Sequence, residues 1–275
     1  IPAAPPVGPG SGPSRGGRTP SSRPTSVATL NELTGATPAA PELLHPCSHW
    51  RLSQSLDLFS SPLGPGLATQ AWTGRELQLL DEPSSCGRRQ VELAEDGYRA
   101  WIEPQDLLGR AWSCGPHQPN LLSAKAIQQR LPAVLRFCQA AAEQSNTYLW
   151  GGSLGPDYDC SGLMQRAFAS AGIWIPRDAY QQERFCQSVA ISADQTQLVR
   201  PADLIFFGRP QRCTHVGIYL GSGRYLHSSG KEHGHNRISI DTLYSWDKSP
   251  VATHYRMELR GAGRVHRCHD GSHLP

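Results

Sequence analysis

The sequence predicts an α+β protein in which a small β-barrel precedes a domain of helices packed on strands, all behind a structureless N-terminal tail. Three observations predict it. Residues 1 to about 40 are rich in Pro, Gly, Ser and Ala, a composition that cannot bury enough apolar surface to offset its ordering entropy. Residues 46–112 carry short apolar segments with period 2, separated by Pro, Gly and Ser, the pattern of closely spaced strands in a barrel. Residues 126–268 open with two helical periodicities and continue with strands. The predicted boundaries are a tail at 1–45, a barrel at 46–112, a linker at 113–125, a larger domain at 126–268 and a short tail at 269–275.

In the first tail Arg15, Arg18 and Arg23 precede the first acid, Glu32. This reads as a solvated linker. The barrel strands are expected at Leu67 to Trp72, Glu76 to Leu80 and Gln90 to Val91-Glu92-Leu93, with Gly97, Tyr98, Ala100 and Trp101 leading into Ile102 and Leu107-Leu108. The linker contains Gly115, Pro116 and Pro119. A first helix is expected around Leu131, Val134, Leu135, Cys138, Ala141 and Ala142, with Pro132 in an early turn where its missing N–H costs nothing. A second helix has Asp159 as N-cap, Leu163, Ala167, Phe168 and Ala171 as its buried stripe, and Gly172 as its stop. Strands then follow at Leu204 to Phe207, Val216 to Leu220 and Tyr225 to His227.

Composition narrows the function. The formal charge of +3 is a weak bias of mixed sign, so no nucleic-acid partner is expected. No apolar run approaches the ~18 residues of a membrane span, and a soluble protein is expected. The first residue is Ile, and no apolar signal region follows it. The expectation is a cytoplasmic location, with periplasm or cell envelope as the alternative if a signal precedes Ile1. Of the eight cysteines, none forms a C-x-x-C pair. Seven are read as buried or idle thiols. Oligomeric state leaves no trace in the sequence.

The eighth, Cys160, is different. With Asp159 as N-cap it occupies the first helical position, where the positive end of the helix dipole favours a thiolate. Unpaired N–H groups there would stabilise an oxyanion. The strand His215-Val216-Gly217-Ile218-Tyr219-Leu220 has Val216, Ile218 and Leu220 on one face and His215, Gly217 and Tyr219 on the other. Gly221-Ser222-Gly223 is expected to form a three-residue hairpin loop that pairs Leu220 with Arg224, Tyr219 with Tyr225 and Gly217 with His227. His227 then lies on the His215 face, with glycine opposite to give it room. A cysteine at a helix start beside two histidines supplies a nucleophile, a base and an orienting group. His227, His233 and His235, and His266, Cys268 and His269 in the tail, match no regular zinc spacing. No metal and no cofactor are expected.

Asp159-Cys160-Ser161-Gly162-Leu163 together with His215-Val216-Gly217-Ile218-Tyr219, preceded by Arg200-Pro201-Ala202-Asp203-Leu204-Ile205-Phe206-Phe207, resembles the signature of the NlpC/P60 cysteine peptidases. The resemblance implies a papain-like α+β domain, with helices on an antiparallel sheet. A barrel followed by Tyr148-Leu149-Trp150-Gly151-Gly152 and by Pro176-Arg177-Asp178-Ala179-Tyr180-Gln181-Gln182 is further similar to cyanobacterial γ-D-glutamyl-L-diamino acid endopeptidases, which carry a bacterial SH3-like domain. It implies that Cys160, His215 and His227 cleave the γ-D-glutamyl–diamino acid bond of murein-derived peptides such as L-Ala-γ-D-Glu-diaminopimelate through a thioester. It also implies that Tyr98 faces the site from the barrel, that Asp159 and Ser161 bind the peptide's amino end, that Tyr148 lies near the oxyanion, and that Trp150 and Arg177 hold motif positions. Ala202 stands where the family has glycine, and Asp178 where many members have a small hydroxyl residue. A catalytically silent wall-binding protein and an acyltransferase with the same triad are the alternatives. The intact triad argues against the silent protein, whereas hydrolysis and transfer use the same residues and differ in whether water or an amine reaches the acyl-enzyme.

Overall fold

The computed structural model describes residues 36–81 and 87–273. The predicted tail as far as residue 35, Cys86 and the last two residues lie outside them.

The first sheet is built from β1 (His49–Leu52), β2 (Leu56–Phe59), β3 (Leu67–Ala71), β4 (Glu76–Leu79), β5 (Arg89–Leu93), β6 (Tyr98–Ile102) and β7 (Ala111–Ser113). The seven antiparallel strands run in the order β3-β2-β6-β5-β4-β1-β7. Alternate residues bury Trp50, Leu52, Leu58, Leu77, Leu79, Val91, Leu93 and Ile102 in one core. Sequence reading finds four of these strands and misses β1, β2 and β7, each only three or four residues long. The expected tail also ends earlier than residue 45. Ala39 is buried in the barrel core and its N–H donates to Ala111.

The larger domain comprises α1 (Ala124–Glu143), α2 (Cys160–Ser170), α3 (Ala179–Phe185), β8 (Gln187–Val189), β9 (Leu204–Arg209), β10 (Arg212–Gly221), β11 (Arg224–Ser229), β12 (Arg237–Thr242), α4 (Pro250–Met257) and β13 (Leu259–Arg264). Its six strands run β12-β11-β10-β9-β13-β8. Val216, Ile218, Leu204, Phe206 and Leu226 pack with α1 and α2 on one face. Ile205, Phe207, Tyr219 and Tyr225 pack with Tyr255 of α4 on the other.

Three local expectations are corrected. Helix α1 starts at Ala124, capped by the Ser123 side chain, so Pro132 sits in its middle rather than in an early turn. The helix continues because Pro132 and Gln128, whose carbonyl loses its N–H partner, are both on the exposed side. Strand β10 begins three residues before His215. The hairpin pairs Arg224 with Gly221, not with Leu220, and a bulge lies between Tyr219 and Gly221. The turn is therefore the two residues Ser222 and Gly223, both with positive φ (52° and 72°). The bulge absorbs the extra residue, Tyr219 still pairs with Tyr225, and His227 keeps its face.

Ala202 does adopt positive φ (75°), as the missing glycine implies it must. Its methyl is buried in the core of the larger domain. That burial, at ~0.8 kcal/mol per carbon, offsets much of the ~1–2 kcal/mol cost of left-handed backbone.

The C-terminal residues after β13 do not form a free tail either. His269 is buried and stacks on Phe185, and Gly271 lies against Ala94 of the barrel, so close that a Cβ would meet its carbonyl at 2.3 Å.

Candidate active site

Asp159 caps α2 through a 2.6 Å hydrogen bond from Gly162 N–H. Cys160 and Ser161 are the first two residues of the helix, and their N–H groups have no partner among the described residues. Gly162 is required here, because a Cβ would lie 2.2 Å from the Gly152 carbonyl. That close approach holds the loop of Tyr148 and Trp150 over the helix start. Asp159 N–H donates to Gly152, and Gly151 N–H donates to Asp159 Oδ2.

Arg177 completes the clamp. Its guanidinium is buried and reaches Asp159 with both Nη atoms, at 3.1 and 2.7 Å, while Nη1 also donates to Ser161 Oγ. Its Nε donates to Thr69 Oγ1 in barrel strand β3 at 2.8 Å. Each Asp159 oxygen thus accepts from one backbone N–H and one guanidinium nitrogen, and Oδ1 accepts also from Ser161 Oγ at 3.4 Å. Asp159 is engaged both as a helix cap and as an ion-pair partner.

A cavity of about 510 Å³ opens over Cys160 and lies between barrel and larger domain. Tyr98, Tyr148, Trp150, Asp159, Ser161 and Arg177 all line it, so the structure brings these sequence-predicted residues together around the thiol. Tyr98 is the first residue of β6, not part of a loop. Trp150 is 74% exposed at the cavity wall. Asp178 also lines the cavity, and its carboxylate has no hydrogen bond or ion pair among the described residues. Burial raises its pKa.

The histidines lie behind the cavity wall. His215 Nε2 is 2.7 Å from His227 Nδ1, with the rings nearly perpendicular. His215 stacks on Tyr255 at 4.5 Å. Cys160 of α2 and Val216 of β10, the residue that follows His215, lie in the same buried core. Tyr255 touches both imidazoles, and burial, then charge at Cys160, raises its phenol pKa. Gly217 gives His227 its room, since a Cβ would meet the His227 Cβ at 3.2 Å.

Electrostatics favour neutral forms. Burial, and then the charge of Asp159, push the Cys160 thiol up to about 12. Burial, and then the neighbouring His227 and His254, hold His215 well below 6.5. A helix dipole contributes up to ~2 kcal/mol, whereas full burial shifts a pKa by several units at ~1.4 kcal/mol each. The thiolate expected at the helix start is therefore outweighed, and the resting pair is thiol and imidazole. Such a pair moves the proton as the nucleophile attacks.

Sequence reading misses Asp241, whose Oδ2 lies 2.8 Å from His227 Nε2, and Tyr255. The alternation Ile238-Ser239-Ile240-Asp241 is the signal that marks β12 as a strand beside His227. Nothing local marks Tyr255, which arrives on a helix. Among the described residues no group of three or more His, Cys, Asp or Glu side chains could hold a metal ion.

Residues 145–254 match the NlpC/P60 family model, and residues 58–107 match the bacterial dipeptidyl-peptidase SH3 domain. The chain carries an NlpC/P60 domain. Its barrel is an SH3 domain of the dipeptidyl-peptidase type, placed before the NlpC/P60 domain. Sequence relatives include the bifunctional muramidase/DL-endopeptidase CwlT of Bacillus subtilis, 38% identical over 33% of this chain and 27% of that protein. The γ-D-glutamyl-L-lysine dipeptidyl-peptidase of Bacillus cereus is 37% identical over 34% of this chain and 28% of that protein. The matched segments thus span little more than a quarter of these relatives. A crystal structure of an NlpC/P60 family protein from Bacillus cereus covers 80% of this chain and 64% of that one, at 24% identity and a TM-score of 0.40. Peptidases and a γ-DL-glutamyl hydrolase are among the named relatives of this domain. No helix among the described residues is long and apolar enough to cross a membrane.

Proposed function

We propose that this protein is a cysteine endopeptidase that hydrolyses the γ-D-glutamyl–diamino acid bond of murein peptides such as L-Ala-γ-D-Glu-diaminopimelate. The observation that carries the reading is the convergence of a helix-start thiol, a buried histidine pair and a cavity walled by the barrel. The Cys160 sulfur attacks the γ-carbonyl of D-Glu, and His215 takes the thiol proton. The N–H groups of Cys160 and Ser161, with the Tyr148 hydroxyl nearby, receive the oxyanion. His215 returns the proton to the leaving amine, and a thioester remains. Water then attacks the thioester and releases Cys160. His227 orients His215 throughout.

The amino end of the substrate lies toward Tyr98 and Asp178. An unpaired carboxylate in a half-buried cavity is suited to an ammonium group, and Asp159 is already occupied by Arg177. Selection of a free amine favours peptides already released from glycan, so we place the protein in peptide recycling in the cytoplasm. Fractionation that finds it outside the inner membrane overturns that location.

The direct test is Cys160→Ala. The folded variant is expected to lose hydrolysis of L-Ala-γ-D-Glu-diaminopimelate, read by mass spectrometry of the products. Near-normal turnover by a folded Cys160→Ala protein ends the reading. Accumulation of transpeptidated products in the presence of added amine favours an acyltransferase.

A further inference from the structure

We propose that Asp241 is a positioning residue that sets the protonation pattern of both histidines, and thereby leaves His215 with its Nδ1 bare to accept the thiol proton. This rests on the peptidase reading above and adds a member to the relay.

The geometry leaves one consistent pattern. The Asp241 carboxylate stands 2.8 Å from His227 Nε2 and is held below the usual carboxylate range, despite burial, by hydrogen bonds with His227 and His235. An ionised carboxylate only accepts, so His227 Nε2 carries the hydrogen. Burial keeps His227 below 6.5 even with Asp241 beside it, so the ring is neutral and its Nδ1 is bare. His215 Nε2, 2.7 Å away, must then donate to it. His215 is neutral for the same reason, so its only unprotonated nitrogen is Nδ1. The opposite pattern would set a bare His227 Nε2 against a carboxylate at hydrogen-bond distance, two acceptors facing each other. His235 Nε2, half-exposed and 3.1 Å from the same Oδ2, steadies the carboxylate from the solvent side. When His215 takes the thiol proton it becomes imidazolium, donating through Nε2 to His227. The carboxylate two bonds further on faces that positive charge without itself gaining the proton.

Asp241→Asn separates this role from packing. The amide can present its NH₂ to His227 Nε2, which moves the His227 hydrogen to Nδ1. That Nδ1–H donates to His215 Nε2 and forces the His215 hydrogen onto Nδ1, where it blocks proton uptake. ¹⁵N NMR of the imidazoles in the resting full-length protein is expected to show Nε2–H on both histidines in the wild type and Nδ1–H in Asp241→Asn. The kcat of Asp241→Asn is expected to fall on the order of a hundredfold or more, with KM changed less than about threefold. Asp241→Glu is expected to restore the wild-type tautomers and part of kcat. Wild-type tautomers with wild-type kcat in Asp241→Asn overturn the proposal, as does Nδ1–H on either histidine in the wild type. If Asp241→Asn does not fold, the wild-type spectrum still decides it. The tautomers are read without substrate, so loss of the peptidase reading through Cys160→Ala is a separate result.

Discussion

His215 is 8% exposed and stacked on Tyr255, surroundings in which an imidazolium loses most of its hydration. Its folded pKa lies well below 6.5, and a base works only while unprotonated. The acidic limb of kcat/KM is therefore expected well below pH 6.5, and a profile that falls with a midpoint near 6.5 contradicts a buried base. Stability follows the same sign. Between pH 6.5 and the folded value the unfolded chain binds protons that His215 and His227 do not bind, so Tm is expected to decline as pH falls through 6. Above 6.5 the contribution is fully present. Tyr98 differs in that it lines the cavity as well as packing on the barrel core. Tyr98→Phe is expected to lower kcat/KM on the tripeptide on the order of tenfold, at ~1 kcal/mol or slightly more for a lost hydrogen bond, with little change in Tm. Unchanged kinetics would make the phenol a packing residue.

Strand β3 and the start of α2 are coupled through Arg177. Thr69 Oγ1 is fully buried and receives the Arg177 Nε, while the same guanidinium grips both Asp159 oxygens. Thr69→Val keeps the shape and removes the acceptor. It leaves a buried charged donor unpaired, at ~1–3 kcal/mol. A fall in Tm together with a lower kcat is expected, because the helix start that carries Cys160 loses part of its anchor. A stable Thr69→Val protein with full activity would show that Asp159 alone holds the cap. The hairpin between β10 and β11 shows the same dependence of site on element. Its bulge at Leu220 compensates a two-residue turn, and so keeps His227 on the face of His215.

The barrel and the NlpC/P60 domain share buried polar and aromatic contacts that neither completes alone. Trp72 stacks on Trp174 with centroids 5.4 Å apart, and Arg75 lies over both rings. Arg75 is buried against Glu95 and Asp96, and Asp96 in turn accepts from Gln165 of α2. Truncation at the 113–123 connection would expose Trp174 and deprive Arg177 of Thr69 and Gln165 of Asp96. Such a fragment is expected to melt well below the full chain or to aggregate, and to lose activity on the tripeptide. Circular dichroism melts and product analysis check this. A stable, fully active fragment would make the barrel an accessory.

What the sequence determines by itself is local. Asp159 at the cap, Cys160 at the first helical position, Gly172 as the stop and the alternation through His215 all follow from short-range backbone geometry, and the structure shows the same local arrangement. The alternation also sends His227 to the correct face, although through a turn and bulge that the sequence reading replaces with a longer loop. Short strands of three or four residues register a period poorly, and β1, β2 and β7 are missed where β4, of the same length as β1 and β2, is found. Only the tertiary structure joins Asp241 to His227, Tyr255 to His215 and Thr69 to Arg177, the last across 108 residues. It also decides protonation. Burial is a property of the packed whole, and here it outweighs the helix dipole that the local sequence supplies.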